Sequence, residues 1–256
     1  MKYGLIGYPL SHSFSQRYFS EKFAKEGLPH SYLNFPIDNI GKLQELLREN
    51  ADLDGFNVTI PYKEQIIPFL DEIEDHSLEI GAVNTVRIFS GSGKLSLCGY
   101  NTDVFGFRRS LEECYAAEQE YPEKALILGT GGASKAVAWV LRKMNIEPHF
   151  VSRHASTDVY KTYATLDAED IRRHLLIVNT TPLGMYPRGD TFPDIPYRHL
   201  TGHHLLFDLV YNPPLTPFLQ MGKKQGCATC NGEKMLRLQA EKAWEIWNGR
   251  RSVFNS

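Results

Sequence analysis

Lys63 and Asp103 are an amine and an acid placed where apolar segments of the chain run out. Lys63 closes the run Asn57-Val58-Thr59-Ile60-Pro61-Tyr62-Lys63. Asn57 and Thr59 alternate with Val58 at the end of a strand, and Pro61 fixes the exit, so the amine is delivered to a defined place beside them. Asp103 closes Asn101-Thr102-Asp103 at the head of a helical segment, where a carboxylate also serves simply to cap a helix or complement its dipole. Brought to one pocket, the two form a proton-transfer pair, with the acid holding the amine and both touching a substrate hydroxyl. Their spacing in sequence does not by itself make them meet.

A second chemistry-bearing run is Leu126-Ile127-Leu128-Gly129-Thr130-Gly131-Gly132-Ala133-Ser134, an apolar strand that empties into a glycine turn and then a helix. Gly129 and Gly131 permit turn conformations and close approach of a ligand, while Gly132 and Ala133 let the helix lie near the sheet. The first-turn amides then face an anion, which makes the junction a dinucleotide phosphate cradle. The following strand, 147–151, ends at Ser152-Arg153-His154, where an NAD site would place an acidic side chain against the adenosine ribose. Arg153 stands there instead, and its guanidinium fork suits a phosphate on that ribose, with Ser152 and His154 available for further hydrogen bonds. The cofactor expected is therefore NADP rather than NAD.

Other polar groups stand where strands end. Ser11-His12-Ser13-Phe14-Ser15 offers hydroxyls ahead of a helix, a position where Ser also caps. Asn84 interrupts the apolar run Ala82-Val83-Asn84-Thr85-Val86. Asn179-Thr180-Thr181-Pro182-Leu183-Gly184-Met185 forms a tight loop at the carboxyl end of a buried strand, where cofactor contacts belong, and Met185 is either a soft face for a nicotinamide ring or a core residue. Asp208 to Pro214 ends another strand in a rigid turn that exposes Tyr211, and Gln239 stands between Leu238 and Ala240 in the last helix.

The elements that must position these groups follow from periodicity. Strands are predicted at 3–6, 31–35, 55–59, 82–89, 95–98, 126–128, 147–151, 175–179, 205–209 and near 228, with helices at 15–26, 39–49, 71–80, 102–118, from 133, 215–222 and 232–247. Segments 86–89 and 95–98 pair across Ser90-Gly91-Ser92-Gly93 as a hairpin. The expected architecture is α/β and two-lobed. An N-terminal α/β substrate domain (1–102) is followed by a Rossmann-like cofactor domain (103–231), and a C-terminal helix (232–256) returns to the first lobe. A cofactor and a small substrate would meet in the cleft between lobes.

With 256 residues the chain buries enough surface to fold without staples, and a formal charge of −2 argues against a nucleic-acid partner. Cys98, Cys114, Cys227 and Cys230 suggest neither a disulfide framework nor a four-ligand metal site, so they are expected to be reduced residues of a cytoplasmic protein, with no metal. The opening Met1 to Gly7 reads as a strand rather than a signal peptide, and no apolar run reaches membrane-spanning length.

Taken in order, these motifs resemble the shikimate dehydrogenase family, which includes quinate dehydrogenases, over essentially the whole chain. The resemblance rests on His12-Ser13-Phe14-Ser15, Asn57 to Lys63, Gly81 to Thr85, Asn101-Thr102-Asp103, the glycine turn, Asn179 to Met185, Tyr211 to Thr216 and Asn231-Gly232 to Gln239. It implies reversible NADPH-dependent reduction of 3-dehydroshikimate to shikimate in aromatic amino-acid biosynthesis. Ser13 and Ser15 would bind the substrate carboxylate with Tyr211 assisting, and Thr59, Asn84, Asp103 and Gln239 would orient ring hydroxyls. Lys63 would be the principal catalytic group. The cofactor would be held by Gly129, Thr130, Gly131, Gly132, Ala133, Ser152, Arg153, Thr180, Gly184, Met185 and Gly232. Thr130 replaces a customary Ala, Gln16 a customary Pro, and Ser152-Arg153-His154 keeps only the Arg of the family's Asn-Arg-Thr. The rival readings are a quinate or quinate/shikimate dehydrogenase using NAD(P), a non-catalytic nucleotide-binding regulatory protein and a folate-type dehydrogenase. The expected assembly is a monomer or homodimer acting on a small carboxylic acid.

Overall fold

A computed structural model describes residues 1–10, 14–91, 94–115 and 120–249. The chain divides into two compact units, Met1–Thr102 with Ala240–Ser256, and Asp103–Gln239.

The first unit contains β1 (Lys2–Gly7), α1 (Phe14–Glu26), β2 (Ser31–Pro36), α2 (Leu43–Glu49), β3 (Leu53–Val58), β4 (Glu72–Ile73), α3 (Asp75–Ile80), β5 (Thr85–Gly91) and β6 (Lys94–Tyr100). Its mixed sheet has the order β2-β1-β3-β5-β6-β4. Strands β2, β1 and β3 run parallel, and the expected hairpin is present as antiparallel β5 and β6. Phe56, Val58, Val83 and Val86 pack with Leu43, Leu46 and Leu47 of α2 in one cluster. On α1, Ser15, Phe19 and Phe23 recur every fourth residue as the buried stripe.

The second unit contains α4 (Asp103–Cys114), β7 (Lys124–Leu128), α5 (Gly132–Lys143), β8 (Glu147–Ser152), β9 (Lys161–Thr162), α6 (Ala168–Arg173), β10 (Leu176–Asn179), β11 (Leu205–Asp208), α7 (Pro217–Lys224) and β12 (Ala228–Cys230), and α8 (Glu233–Asn248) begins in it. All its sheet pairings are parallel, in the order β12-β11-β10-β7-β8-β9. Numbered within the unit, this is the doubly wound order 3-2-1-4-5-6 read from the other edge, with the strand order reversing between β7 and β10. The strands are buried on both faces, as the near-continuous apolar runs Ala125 to Leu128 and Leu176 to Val178 require.

Two expectations need correction. The last helix was expected to join the first unit from residue 232, whereas the chain divides within α8, after Gln239. Met235 packs with Phe107, Leu111 and Phe207, while Ala240, Ala243 and Trp247 pack with Tyr3, Phe19 and Phe23. The second correction concerns cysteine. Cys114 and Cys230 form a disulfide that joins the end of α4 to the end of β12, while Cys98 and Cys227 are buried cysteines outside that bond. Residues 116 apart in sequence converge because Cys114 and Cys230 both pack against the cluster of Phe107, Leu111 and Phe207, a proximity that spacing alone does not reveal.

Candidate active site

In the first unit, the polar residues at strand ends form one connected chain. Ser15 hydrogen-bonds the phenol of Tyr32, a group kept protonated by complete burial. The Tyr32 hydroxyl donates to Asn57 Oδ1 at 2.8 Å, and Asn57 Nδ2 donates to Thr85 Oγ1 at 3.0 Å. Thr85 Oγ1 donates in turn to Asn84 Oδ1 at 3.1 Å. The same Asn84 oxygen accepts the backbone N–H of Thr102 at 2.8 Å, while Asn84 Nδ2 donates to Thr102 Oγ1 at 3.1 Å. Ser15, Tyr32, Asn57, Thr85, Asn84 and Thr102 are all buried, so their polar atoms must be satisfied internally. The expected site residues include two members of this chain, Ser15 and Asn84; Tyr32, Asn57, Thr85 and Thr102 are not among them, although Asn57 and Thr85 carry the signal of a polar residue in an apolar strand.

Thr59 follows β3 directly, and its N–H donates to Ile6 O at 2.9 Å, which holds it at the carboxyl edge of the parallel strands. Tyr62 N–H donates to Thr59 O, and the carbonyl of Lys63 accepts the N–H of Val83 at 2.7 Å. This ties the half-buried Lys63 to the segment that carries Asn84. Ser13 lies outside the described residues.

In the second unit, Asp103 is buried at the first turn of α4. One turn on, a Cβ on Gly106 would lie 2.5 Å from Met235 O and 3.2 Å from Gln239 Cβ, so Gly106 permits α4 and the start of α8 to approach closely. Asp103 and Gln239 are thereby placed on neighbouring helices of one unit.

The glycine turn has the geometry that a phosphate cradle needs. Gly129 has φ +111°, and a Cβ there would lie 2.8 Å from Thr180 Oγ1 and 3.1 Å from Thr181 Cγ2, so both its conformation and its surroundings demand glycine. Thr180 donates its N–H and hydroxyl to Leu128 O at 3.0 and 2.7 Å, which fixes the two strand exits on either side of the order reversal. Thr130 and Gly131 are exposed, and the space a Gly131 Cβ would enter is open. Gly131 caps α5 without a side chain, so the first-turn amides of Gly132 and Ala133 stand ready for an anion, and Ser134 Oγ donates back to Gly131 O at 2.5 Å. Ser152 is half-buried at the end of β8, and Arg153 and His154 are exposed just beyond it. These residues fit the diphosphate and 2′-phosphate of NADP.

The remaining candidates also lie at strand ends of this sheet. Gly184, at φ +86°, is buried beside Thr216 and Met185 is exposed. Tyr211 is half-buried in the loop after β11, and Gly232 donates its N–H to Val210 O at 3.2 Å, where a Cβ would collide with the Leu209 carbonyl. Asp208, Asn179 and Thr216 form a buried network beneath these loops that was not expected. Among the described residues, no group of three His, Cys, Asp or Glu side chains is arranged to hold a metal ion, and no helix is long and apolar enough to cross a membrane.

Residues 5–86 match the family model for the shikimate dehydrogenase substrate binding domain. The NADP(+) shikimate dehydrogenase of Methanococcus maripaludis is 38% identical over 262 residues, covering 97% of this chain and 91% of the relative. The chain belongs to the shikimate dehydrogenase family. The crystal structure of shikimate dehydrogenase from Aquifex aeolicus superposes with a TM-score of 0.84 at 33% identity, covering 99% of this chain and 94% of that one. A quinate dehydrogenase from Corynebacterium glutamicum in complex with NAD shares the fold, with a TM-score of 0.82, at the lower identity of 26%, covering 98% and 94%. Family membership confirms the expected fold class and disfavours the regulatory and folate-type readings.

Proposed function

We propose that this chain catalyses the reversible reduction of 3-dehydroshikimate to shikimate with NADP(H), and that Lys63 and Asp103 are its catalytic residues. The observation that carries this reading is the separation of roles between units. The buried polar chain from Ser15 to Asn84 falls within the segment that matches a substrate-binding model, while the phosphate cradle lies in the doubly wound unit. The unit of Met1–Thr102 and Ala240–Ser256 accordingly serves the substrate, and the unit Asp103–Gln239 serves NADP.

When bound, NADPH supplies the hydride that the ketone carbon receives. Lys63, as ammonium, donates a proton to the oxygen on which negative charge develops, and in the reverse direction its amine takes the hydroxyl proton back. Asp103 accepts a hydrogen bond from the neighbouring hydroxyl of the substrate. Ser13 and Ser15 donate to the substrate carboxylate, with Tyr211 assisting, and Thr59, Asn84 and Gln239 orient the ring hydroxyls. Gly129, Thr130, Gly131, Gly132 and Ala133 cradle the diphosphate, Ser152 and Arg153 hold the 2′-phosphate, and Thr180, Gly184, Met185 and Gly232 line the remainder of the dinucleotide site. The protein works in the cytoplasm, as a monomer or homodimer, on a small carboxylic acid without nucleic-acid or membrane partners.

Steady-state rates with shikimate and quinate, each with NADP+ and NAD+, test the assignment. Shikimate with NADP+ is expected to give the largest kcat/KM; a larger value for quinate with NAD+ overturns it. Lys63→Ala should lower kcat by at least about a hundredfold, the scale of a lost general acid, while leaving NADP+ binding intact.

A further inference from the structure

Asp208 ends β11 and is completely buried, yet its carboxylate has no cationic partner among the contacts that hold it. Its Oδ1 accepts from Asn179 Nδ2 at 2.9 Å and from the Val210 N–H at 3.0 Å, and its Oδ2 accepts from Thr216 Oγ1 at 2.5 Å. Each donor controls a different piece of chain. Asn179 ends the adjacent strand β10, and its Oδ1 accepts both the N–H and the hydroxyl of Thr181 at 3.0 and 2.6 Å. The Thr181 hydroxyl then accepts the N–H of Leu183 at 3.3 Å. Thr216 caps α7 and borders Gly184, whose Cβ, were one present, would lie 3.2 Å from Thr216 Cβ. One carboxylate thus holds both the loop that carries Thr180, Gly184 and Met185 and the loop that carries Tyr211.

We propose that Asp208 is a positioning residue for the NADP site, its ionised carboxylate locking the loops after β10 and β11 into a single register. This rests on the reading of the chain as an NADP-dependent enzyme.

The chemistry of the node separates this role from simple packing. Burial pushes the Asp208 carboxyl up to about 6, with its three hydrogen bonds opposing the rise. A folded-state value above the unfolded one means that ionising this group costs stability as pH rises from the ordinary carboxylate range through about 6. An apolar residue would pack there without that cost. A titratable group that interacts with it from a neighbouring element is Tyr197, whose phenol donates to Pro193 O and is held protonated by burial. Two of the donors to Asp208 are fixed, since Val210 donates from the backbone and Asn179 cannot turn its amide without abandoning Thr181. Only the Thr216 hydroxyl can rotate. Protonated Asp208 therefore donates to Thr216 Oγ1, and Asp208→Asn reproduces that neutral pattern, with an amide N–H in place of the acid O–H.

The test is the pH dependence of KM for NADP+ in the wild-type protein and in Asp208→Asn, with NADP+ affinity measured in parallel by calorimetry. At pH 8 the variant should have a KM and Kd about tenfold higher, the scale of a charge-assisted bond exchanged for a neutral one. Below pH 6 the two proteins should converge, because the wild type then carries the same neutral pattern; titration of the cofactor's own 2′-phosphate is common to both and cancels. Thr216→Val, which leaves Oδ2 without its donor, should weaken NADP+ binding at pH 8 in the same direction. Equal values at pH 8, a ratio that does not change with pH, or a lowered melting temperature with unchanged NADP+ affinity would each overturn the proposal. A wild-type protein that binds NADP+ but does not oxidise shikimate would defeat the functional reading alone, with the binding comparison still deciding the role of Asp208.

Discussion

The backbone N–H of Thr102 donates to Asn84 Oδ1 at 2.8 Å, so an asparagine just ahead of β5 fixes the residue that immediately precedes Asp103. A side chain expected only to face a substrate also anchors the chain at the start of α4.

Asn84→Ala should therefore show two effects. Removing the amide leaves the buried Thr102 N–H without this acceptor and breaks the link to Thr85, which costs about 1–3 kcal/mol. It should also lower kcat/KM for shikimate, because Asp103 loses its anchor. Denaturant melts and steady-state assays on one preparation separate these effects; a variant with wild-type stability would show that another group takes over the Thr102 N–H.

Arg153 offers a test of cofactor choice that leaves the core untouched, since its side chain is exposed just beyond β8. Arg153→Asp exchanges attraction for repulsion of the 2′-phosphate and should raise KM for NADP+ by about 10- to 100-fold, the equivalent of one or two charge-assisted bonds, with little change for NAD+. If both cofactors were affected equally, Arg153 would not be a 2′-phosphate ligand.

Much of this architecture was legible in the sequence because period and punctuation agree. The run Leu126 to Leu128 before Gly129 specifies a buried parallel strand and its turn, and Ser15, Phe19 and Phe23 declare the inward face of α1. Lys161–Thr162 and the short helix Ala168–Arg173 were not predicted. The first is too short for a periodic signal, and the second is fixed by its Asp167 cap, which accepts from the N–H groups of Glu169 and Asp170, rather than by an apolar stripe. The sequence showed Asn57 and Asp208 as polar residues at strand ends, but not that Asn57 would bridge Tyr32 to Thr85 or that Asp208 would collect three donors. Such bonds depend on which strands become neighbours, a long-range property. The same limit concealed the Cys114–Cys230 pair.

That disulfide closes a long loop between α4 and β12, so its loss should be felt mainly in the unfolded state. Cys114→Ser, or reduction of the wild type, should lower stability by about 2–4 kcal/mol. Alkylation under denaturing conditions should then label only Cys98 and Cys227 in the oxidised protein, and all four cysteines after reduction. Labelling of four in untreated protein would show that the pair is held as thiols.

His174 is buried with Nδ1 2.6 Å from Asp170 O, and its other ring nitrogen is 2.6 Å from His149 Nδ1. A carbonyl oxygen only accepts, so Nδ1 of His174 carries the proton and, in the neutral ring, Nε2 accepts from His149. Burial holds the His174 pKa below the ordinary histidine value, with the neighbouring His149 and Lys124 acting in the same direction and Asp170 against them. The sign follows from proton uptake: below about pH 6.5 the unfolded chain binds a proton that the folded chain resists, so stability falls as pH drops through that value. Melting temperatures measured from pH 7.5 down to 5 should decline, and His174→Gln, which keeps a polar side chain but cannot take up the proton, should flatten the decline. An equally steep decline in the variant would place the acid sensitivity elsewhere.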